Sequence, residues 1–111
     1  MKVRLKKNRA PYYDLTPGNV YQVIGIEADD YRIMNDLGRP YLYPSADFSV
    51  VDATRPRQWK RQVGTEGEEY CYPPQLARPG FFEDIFEGNR RAMATLHGYL
   101  TQLHPKRRRP A

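Results

Sequence analysis

Cysteine occurs once in the 111 residues, at Cys71, and histidine twice, at His97 and His104. A single thiol cannot close an intrachain disulfide, and without a CxxC pair there is no zinc ribbon. His97 and His104 stand seven residues apart, which on a helix is two turns or about 10 Å, too far to share one ion unaided. No metal and no cofactor are therefore expected. The chain also lacks a GxSxG elbow, a phosphate-cradling glycine loop and a Cys–His pair fixed by spacing, so an enzyme is not expected either. No apolar run approaches the roughly 20 residues of a transmembrane helix. The basic stretch at positions 2–9 leads into Pro11 and Tyr12 and not into the apolar segment of a signal peptide. A soluble, cytoplasmic protein with no membrane partner is the expectation.

What the chain does have is charge, unevenly placed. Eighteen Lys and Arg against thirteen Asp and Glu give a formal +5, the balance expected of a nucleic-acid binder. Nine of the basic residues, however, lie at the ends: Lys2, Arg4, Lys6, Lys7 and Arg9, then Lys106, Arg107, Arg108 and Arg109. Between positions 10 and 105, nine basic residues face all thirteen acidic ones, a balance of −4. The body is mildly acidic and the basic pI belongs to the termini.

Ten prolines, eight glycines and nine tyrosines favour short strands and tight turns. Residues 1–5 alternate with Val3 and Leu5 on one face, as a half-buried strand does. Thr16-Pro17-Gly18-Asn19 is a turn, followed by the β-branched run Val20 to Glu27, in which Gly25 suits a bulge or bend. Tyr31 to Asn35, the turn Asp36-Leu37-Gly38 and Arg39 to Tyr43 write a hairpin. Pro44 to Asp47 reads as one helical turn and Phe48 to Asp52 as a last short strand. Beyond the polar linker 53–57, Trp59 to Val63 and Glu69 to Tyr72 predict a second hairpin. Phe81 to Gly88 predicts a short helical turn, and Asn89 caps a final helix over Arg90 to Leu103. Its stripe of Ala92, Met93, Leu96, Tyr99, Leu100 and Leu103 must be buried against something. The expected organisation is a five-stranded β barrel over 1–52, a hairpin and helical extension over 53–105 packed on it, and a disordered basic tail over 106–111: mainly β with a C-terminal helix.

The first half resembles an SH3-like barrel. Leu15 to Ile24 looks like the glycine turn leading into the second strand of these barrels. Tyr31-Arg32-Ile33 resembles the next strand, and Gly38 to Phe48 the glycine, proline-serine turn and aromatic that close them. Ala10-Pro11-Tyr12-Tyr13-Asp14 echoes the aromatic motif of the peptide-binding subfamily, but the turn follows at once and leaves no long acidic loop, which argues against proline-rich ligands. The pattern is closer to small bacterial SH3-like proteins, some of which resemble immunity proteins. That resemblance implies a protein partner, such as a cognate toxin blocked by direct binding.

Candidate contact residues follow from chemistry. Tyr12, Tyr13, Tyr31, Tyr41 and Tyr43 cannot all be buried in so small a barrel, and tyrosine brings large rigid area with a polar tip to interfaces. Phe81, Phe82, Ile85 and Phe86 have the spacing of one buried helical face, which turns Glu83, Asp84 and Glu87 outward. With Asp29 and Asp30 these carboxylates could steer a basic partner. The partner-binding set is thus Tyr31, Tyr41, Tyr43, Asp29, Asp30, Glu83, Asp84 and Glu87. A solvated turn and a solvated helix face account for the same carboxylates without function. The second reading is a nucleic-acid-binding barrel that uses its basic termini.

Overall fold

The computed structural model describes residues 1–7 and 12–103. His104, the basic tail at 106–111 and Ala10-Pro11 of the aromatic motif lie outside them. The chain divides into two compact units, Met1–Pro73 and Pro74–Ala111.

The first unit is an antiparallel sheet of seven strands: β1 (Lys2–Leu5), β2 (Val20–Glu27), β3 (Asp30–Met34), β4 (Pro40–Pro44), β5 (Phe48–Asp52), β6 (Lys60–Val63) and β7 (Glu69–Tyr72). A 3-10 turn at Ser45–Asp47 joins β4 to β5 where Pro44-Ser45 predicts a helical turn. The strand order is β4-β3-β2-β1-β5, and the β6–β7 hairpin joins through β7 on β2. Because β3 pairs Val23 to Glu27 on one side of β2, β1 and β7 share its other side in succession. Lys2 to Arg4 pair Gln22 to Val20, and Cys71 and Tyr70 pair Ile26 and Glu27. The second hairpin therefore continues the sheet.

Gly25 makes this arrangement possible. The β2–β3 register shifts between Val23 and Gly25, the bulge that a glycine in a β-branched run predicts. A Cβ at position 25 would lie 2.0 Å from Tyr72 Cε1, so the ring occupies the space glycine leaves.

The sheet rolls up without closing. Tyr31 on β3 and Phe48 on β5 are three strands apart, about 14 Å in a flat sheet at its usual strand spacing, yet their ring centroids are 6.0 Å apart. Among the described residues β4 and β5 do not pair, and the sheet stays open. Its inner face holds one core: Val3, Leu5, Leu15, Tyr21, Val23, Ile26, Ile33, Tyr43, Phe48, Trp59 and Cys71. The alternation in β1 is as the sequence predicts, with Val3 and Leu5 buried and Lys2 and Arg4 exposed.

In the second unit, a 3-10 turn (Pro74–Leu76) and α1 (Phe81–Phe86) both pack on α2 (Arg90–Leu103). Asn89 Oδ1 accepts the Ala92 N–H at 2.9 Å, the cap its position predicts. Ala92, Leu96 and Tyr99 form the buried stripe of α2, while Met93, placed on that stripe by its spacing, is exposed. No helix among the described residues is long and apolar enough to cross a membrane.

Candidate functional site

The β3–β4 hairpin is built on one asparagine. Asn35 Oδ1 accepts the N–H groups of Leu37 and Arg39 at 3.0 and 2.9 Å, closing the turn. Its amide nitrogen donates to Tyr43 Oη at 3.1 Å and to Asp14 Oδ2 at 3.3 Å. Tyr43 in turn donates to Asp14 Oδ2 at 2.8 Å, and the Asp36 N–H donates to the Asp14 carbonyl at 2.9 Å. Asp14 and Asn35 are both buried. A second clamp lies alongside: Tyr21 Oη accepts the Thr16 N–H at 2.7 Å and donates to Asp36 Oδ1 at 2.8 Å, while Thr16 Oγ1 donates to Asp36 Oδ2 at 2.7 Å. Segment 12–16 and the hairpin tip are thereby held as one piece.

On that piece sit side chains that reach solvent. Tyr13 is 85% exposed, and Leu37 at the turn is exposed as well. Arg39 Nη1 donates to Tyr41 Oη at 3.3 Å, and the tyrosine oxygens of Tyr41 and Tyr13 hold the guanidinium charge, raising its pKa. Tyr12 is half-buried, its ring edge-on to Tyr43 at 5.5 Å and its hydroxyl donating to Asp47. Rigid aromatic area next to an arginine is the composition of interface anchors.

The tyrosines of the hairpin are placed differently from one another. Tyr31 pairs Tyr43 and Ile33 pairs Tyr41 across the hairpin, so all three tyrosines share the inner face. Tyr43 is only 4% exposed. Burial, opposed by the Asn35 amide and reinforced by the Asp14 carboxylate, raises its pKa well above the usual tyrosine value. Its hydroxyl is taken up by Asn35 and Asp14, so this member of the partner-binding set sits inside the hairpin and supports it. Tyr31 is half-buried against Phe48. Tyr41 is half-buried and accepts the Arg39 guanidinium at the hairpin tip.

The acidic residues are divided between the two units. Asp29 is exposed and Asp30 half-buried at the β2–β3 turn, where the Asp29 carbonyl accepts the Ser45 N–H at 2.9 Å. Glu83, Asp84 and Glu87 belong to the second unit. There Asp84 accepts Arg78 Nη2 at 2.7 Å, and the same guanidinium lies 5.3 Å over the Phe81 ring. Asp84 is thus neutralised, leaving Glu83 and Glu87 exposed. Phe81 and Phe82 are buried and Ile85 half-buried, but Phe86 is 51% exposed, so the short helix buries two of the four apolar residues that its spacing assigns to the inner face. Among the described residues no group of three or more His, Cys, Asp or Glu could hold a metal ion.

Sequence reasoning did not single out Arg39, Leu37, Asp14 or Asn35. Asn35 carried a signal, since Asn ahead of Asp-Leu-Gly is an Asx-turn pattern. Asp14 carried none, because its partners are 21 and 29 residues away.

Fold and site together define a small antiparallel β module with C-terminal helices. No model of a known protein family matches the chain, and neither a curated protein nor a solved structure matches it.

Proposed function

We propose that this chain is a non-catalytic, SH3-like protein-binding module, and that its sharpest form is a cytoplasmic immunity protein that occludes a cognate bacterial toxin. The observation that carries the reading is the mounting of Tyr13, Tyr41 and Arg39 on a hairpin tip fixed from within by Asp14, Asn35 and Tyr43. A preorganised aromatic surface binds with little ordering entropy, and occlusion requires only a complementary surface. Glu83 and Glu87 supply acidic area that favours encounter with a basic partner.

The test is co-expression with the product of the neighbouring gene. A stable complex that restores growth against a toxic neighbour, and that Tyr13→Ala with Arg39→Ala weakens at least about tenfold, supports the proposal, since aromatic and arginine anchors carry most interface energy. A non-toxic neighbour that forms no complex removes the immunity reading. A complex indifferent to both substitutions removes the site.

A further inference from the structure

We propose that the outward face of β1 is a separate surface that grips the phosphate backbone of double-stranded nucleic acid. Val3 and Leu5 fix the strand in the core, and Lys2 and Arg4 alternate with them into solvent. Lys6 continues the same outward series, its Nζ donating to the Ala46 carbonyl at 3.0 Å. β1 is a central strand here, paired to β2 on one side and β5 on the other, so the cations stand on backbone whose hydrogen bonds are already made. A two-residue strand repeat separates them by about 7 Å, comparable to the distance between successive phosphates along one nucleic-acid strand.

Several of the other cations are held by partners of their own. Arg32 pairs Glu27, Arg55 and Arg61 both pair Glu69, and Arg39 is on Tyr41. Lys2 and Arg4 form no salt bridge among the described residues. Their cross-strand neighbours are Gln22, Val20, Ser49 and Asp52. The one acid, Asp52, stands opposite Lys2, accepts the Thr54 N–H at 2.9 Å and feels the Lys2 charge, so Lys2 is the partly offset member of the row and Arg4 the unopposed one.

The same neighbours decide the class of partner. None is aromatic, so single-stranded bases find no stacking platform, and the one apolar neighbour, the exposed Val20, is smaller than the aromatic anchors of protein interfaces. An evenly spaced row of cations on a rigid strand suits a polyanion of high, regular charge density, such as a duplex with one charge per about 1.7 Å of axis. Recognition through phosphates alone is independent of base sequence and weakens steeply with salt.

The experiment is fluorescence polarisation of a labelled DNA duplex titrated with the full chain across a salt series. Binding at low salt is expected, with a log–log salt slope of about −2 to −3 for two or three phosphate contacts. Lys2→Glu with Arg4→Glu should abolish it. The milder Lys2→Gln with Arg4→Gln, which leaves Val3 and Leu5 in place, should weaken it and flatten the slope by about two. Arg90→Glu with Arg91→Glu on α2 should bind as wild type. Unchanged affinity in the Gln variant overturns the proposal, as does binding that disappears only when Lys106 to Arg109 are replaced. Competition by poly-glutamate as effective as duplex DNA of equal charge assigns the stripe to an acidic protein and overturns the nucleic-acid assignment. Failure of the toxin test leaves these readouts untouched, because the two surfaces share no residue.

Discussion

The Tyr43 hydroxyl donates to Asp14 Oδ2 at 2.8 Å across 29 residues of sequence, tying the segment before the first turn to the inner face of β4. The other carboxylate oxygen of Asp14 is buried and has no hydrogen-bond partner among the described residues. Removing the hydroxyl by Tyr43→Phe leaves the Asn35 amide, at 3.3 Å, as the remaining side-chain donor to that carboxylate among the described residues. A buried acceptor losing its donor costs about 1–3 kcal/mol. The loss is to be measured by urea unfolding, followed through the fluorescence of the only tryptophan, Trp59, which lies in the same core. Tyr31→Phe, at a half-buried tyrosine whose hydroxyl does not enter this network, is the control and should change stability little. Equal effects from the two substitutions would show that the network does not hold the hairpin.

The alkaline limit of stability follows from the same burial. Tyr21, Tyr43 and Tyr72 all have pKa values raised above the ordinary 10.0, in each case chiefly because burial disfavours the phenolate. A raised folded-state pKa means that the native state keeps its protons when the unfolded chain has lost them. The contribution to stability is therefore complete below about pH 10, where an unfolded tyrosine ionises, and falls as pH rises beyond it. Spectrophotometric titration of the nine tyrosines checks this. Buried tyrosines should ionise only together with loss of the Trp59 signal. Ionisation of all nine in one reversible step, with the fold intact, would contradict the burial of Tyr21, Tyr43 and Tyr72.

The turn between β2 and β3 stores strain that one substitution can release. Ala28 has φ +52°, the only described non-glycine residue with positive φ, at the first position of a two-residue connection between Glu27 and Asp30. An L side chain there costs about 1 kcal/mol, and hairpin turns of this length favour glycine or asparagine for that reason. Ala28 is exposed, so Ala28→Gly removes no packing. It should raise stability by about 0.5–1 kcal/mol, read as a higher urea midpoint with unchanged slope. A lower midpoint would mean that the turn is not strained.

The strands and helices were legible because each is written locally. The β-branched run 20–27, the Asp-Leu-Gly turn, the Pro44-Ser45 turn and Asn89 ahead of a 3.6-residue stripe need no distant information. Long-range placement was not legible in the same way. Nothing local distinguishes Tyr43, buried on Asp14, from Tyr41 two residues earlier on the same face, because the difference lies in which of them meets a carboxylate from position 14. Nor does the Glu83, Asp84, Glu87 cluster show that Arg78 neutralises its middle member. Phe86 stays exposed because a six-residue helix has too little face to bury four apolar side chains. The site was legible as tyrosine-rich, while its anchors emerged only from the fold.

Two ion pairs of the same residue types should differ widely in what they contribute. Arg32 is 7% exposed and closes a triad: its Nη2 meets Glu27 Oε2, its Nε donates to Tyr72 Oη at 2.9 Å, and Tyr72 donates to Glu27 Oε2 at 2.8 Å. Arg32 Nη1 also donates to the Pro40 carbonyl at 2.9 Å, so three strands and the Gly25 bulge depend on one guanidinium. Glu27 and Glu69 are about equally half-buried, but Arg55, at 2.8 Å from Glu69, is open to water where Arg32 is buried, and there screening and side-chain entropy cancel most of the attraction. Glu27→Gln leaves a buried guanidinium without its counter-charge and should destabilise by about 3 kcal/mol, whereas Glu69→Gln should shift the unfolding midpoint only slightly. Salt separates them further: 1 M NaCl should leave the effect of Glu27→Gln nearly intact and erase that of Glu69→Gln, because a Debye length of about 3 Å screens exposed pairs and not buried ones. Equal sensitivity of the two variants to salt would show that water reaches the Arg32 triad and that the Tyr72 ring does not seal it.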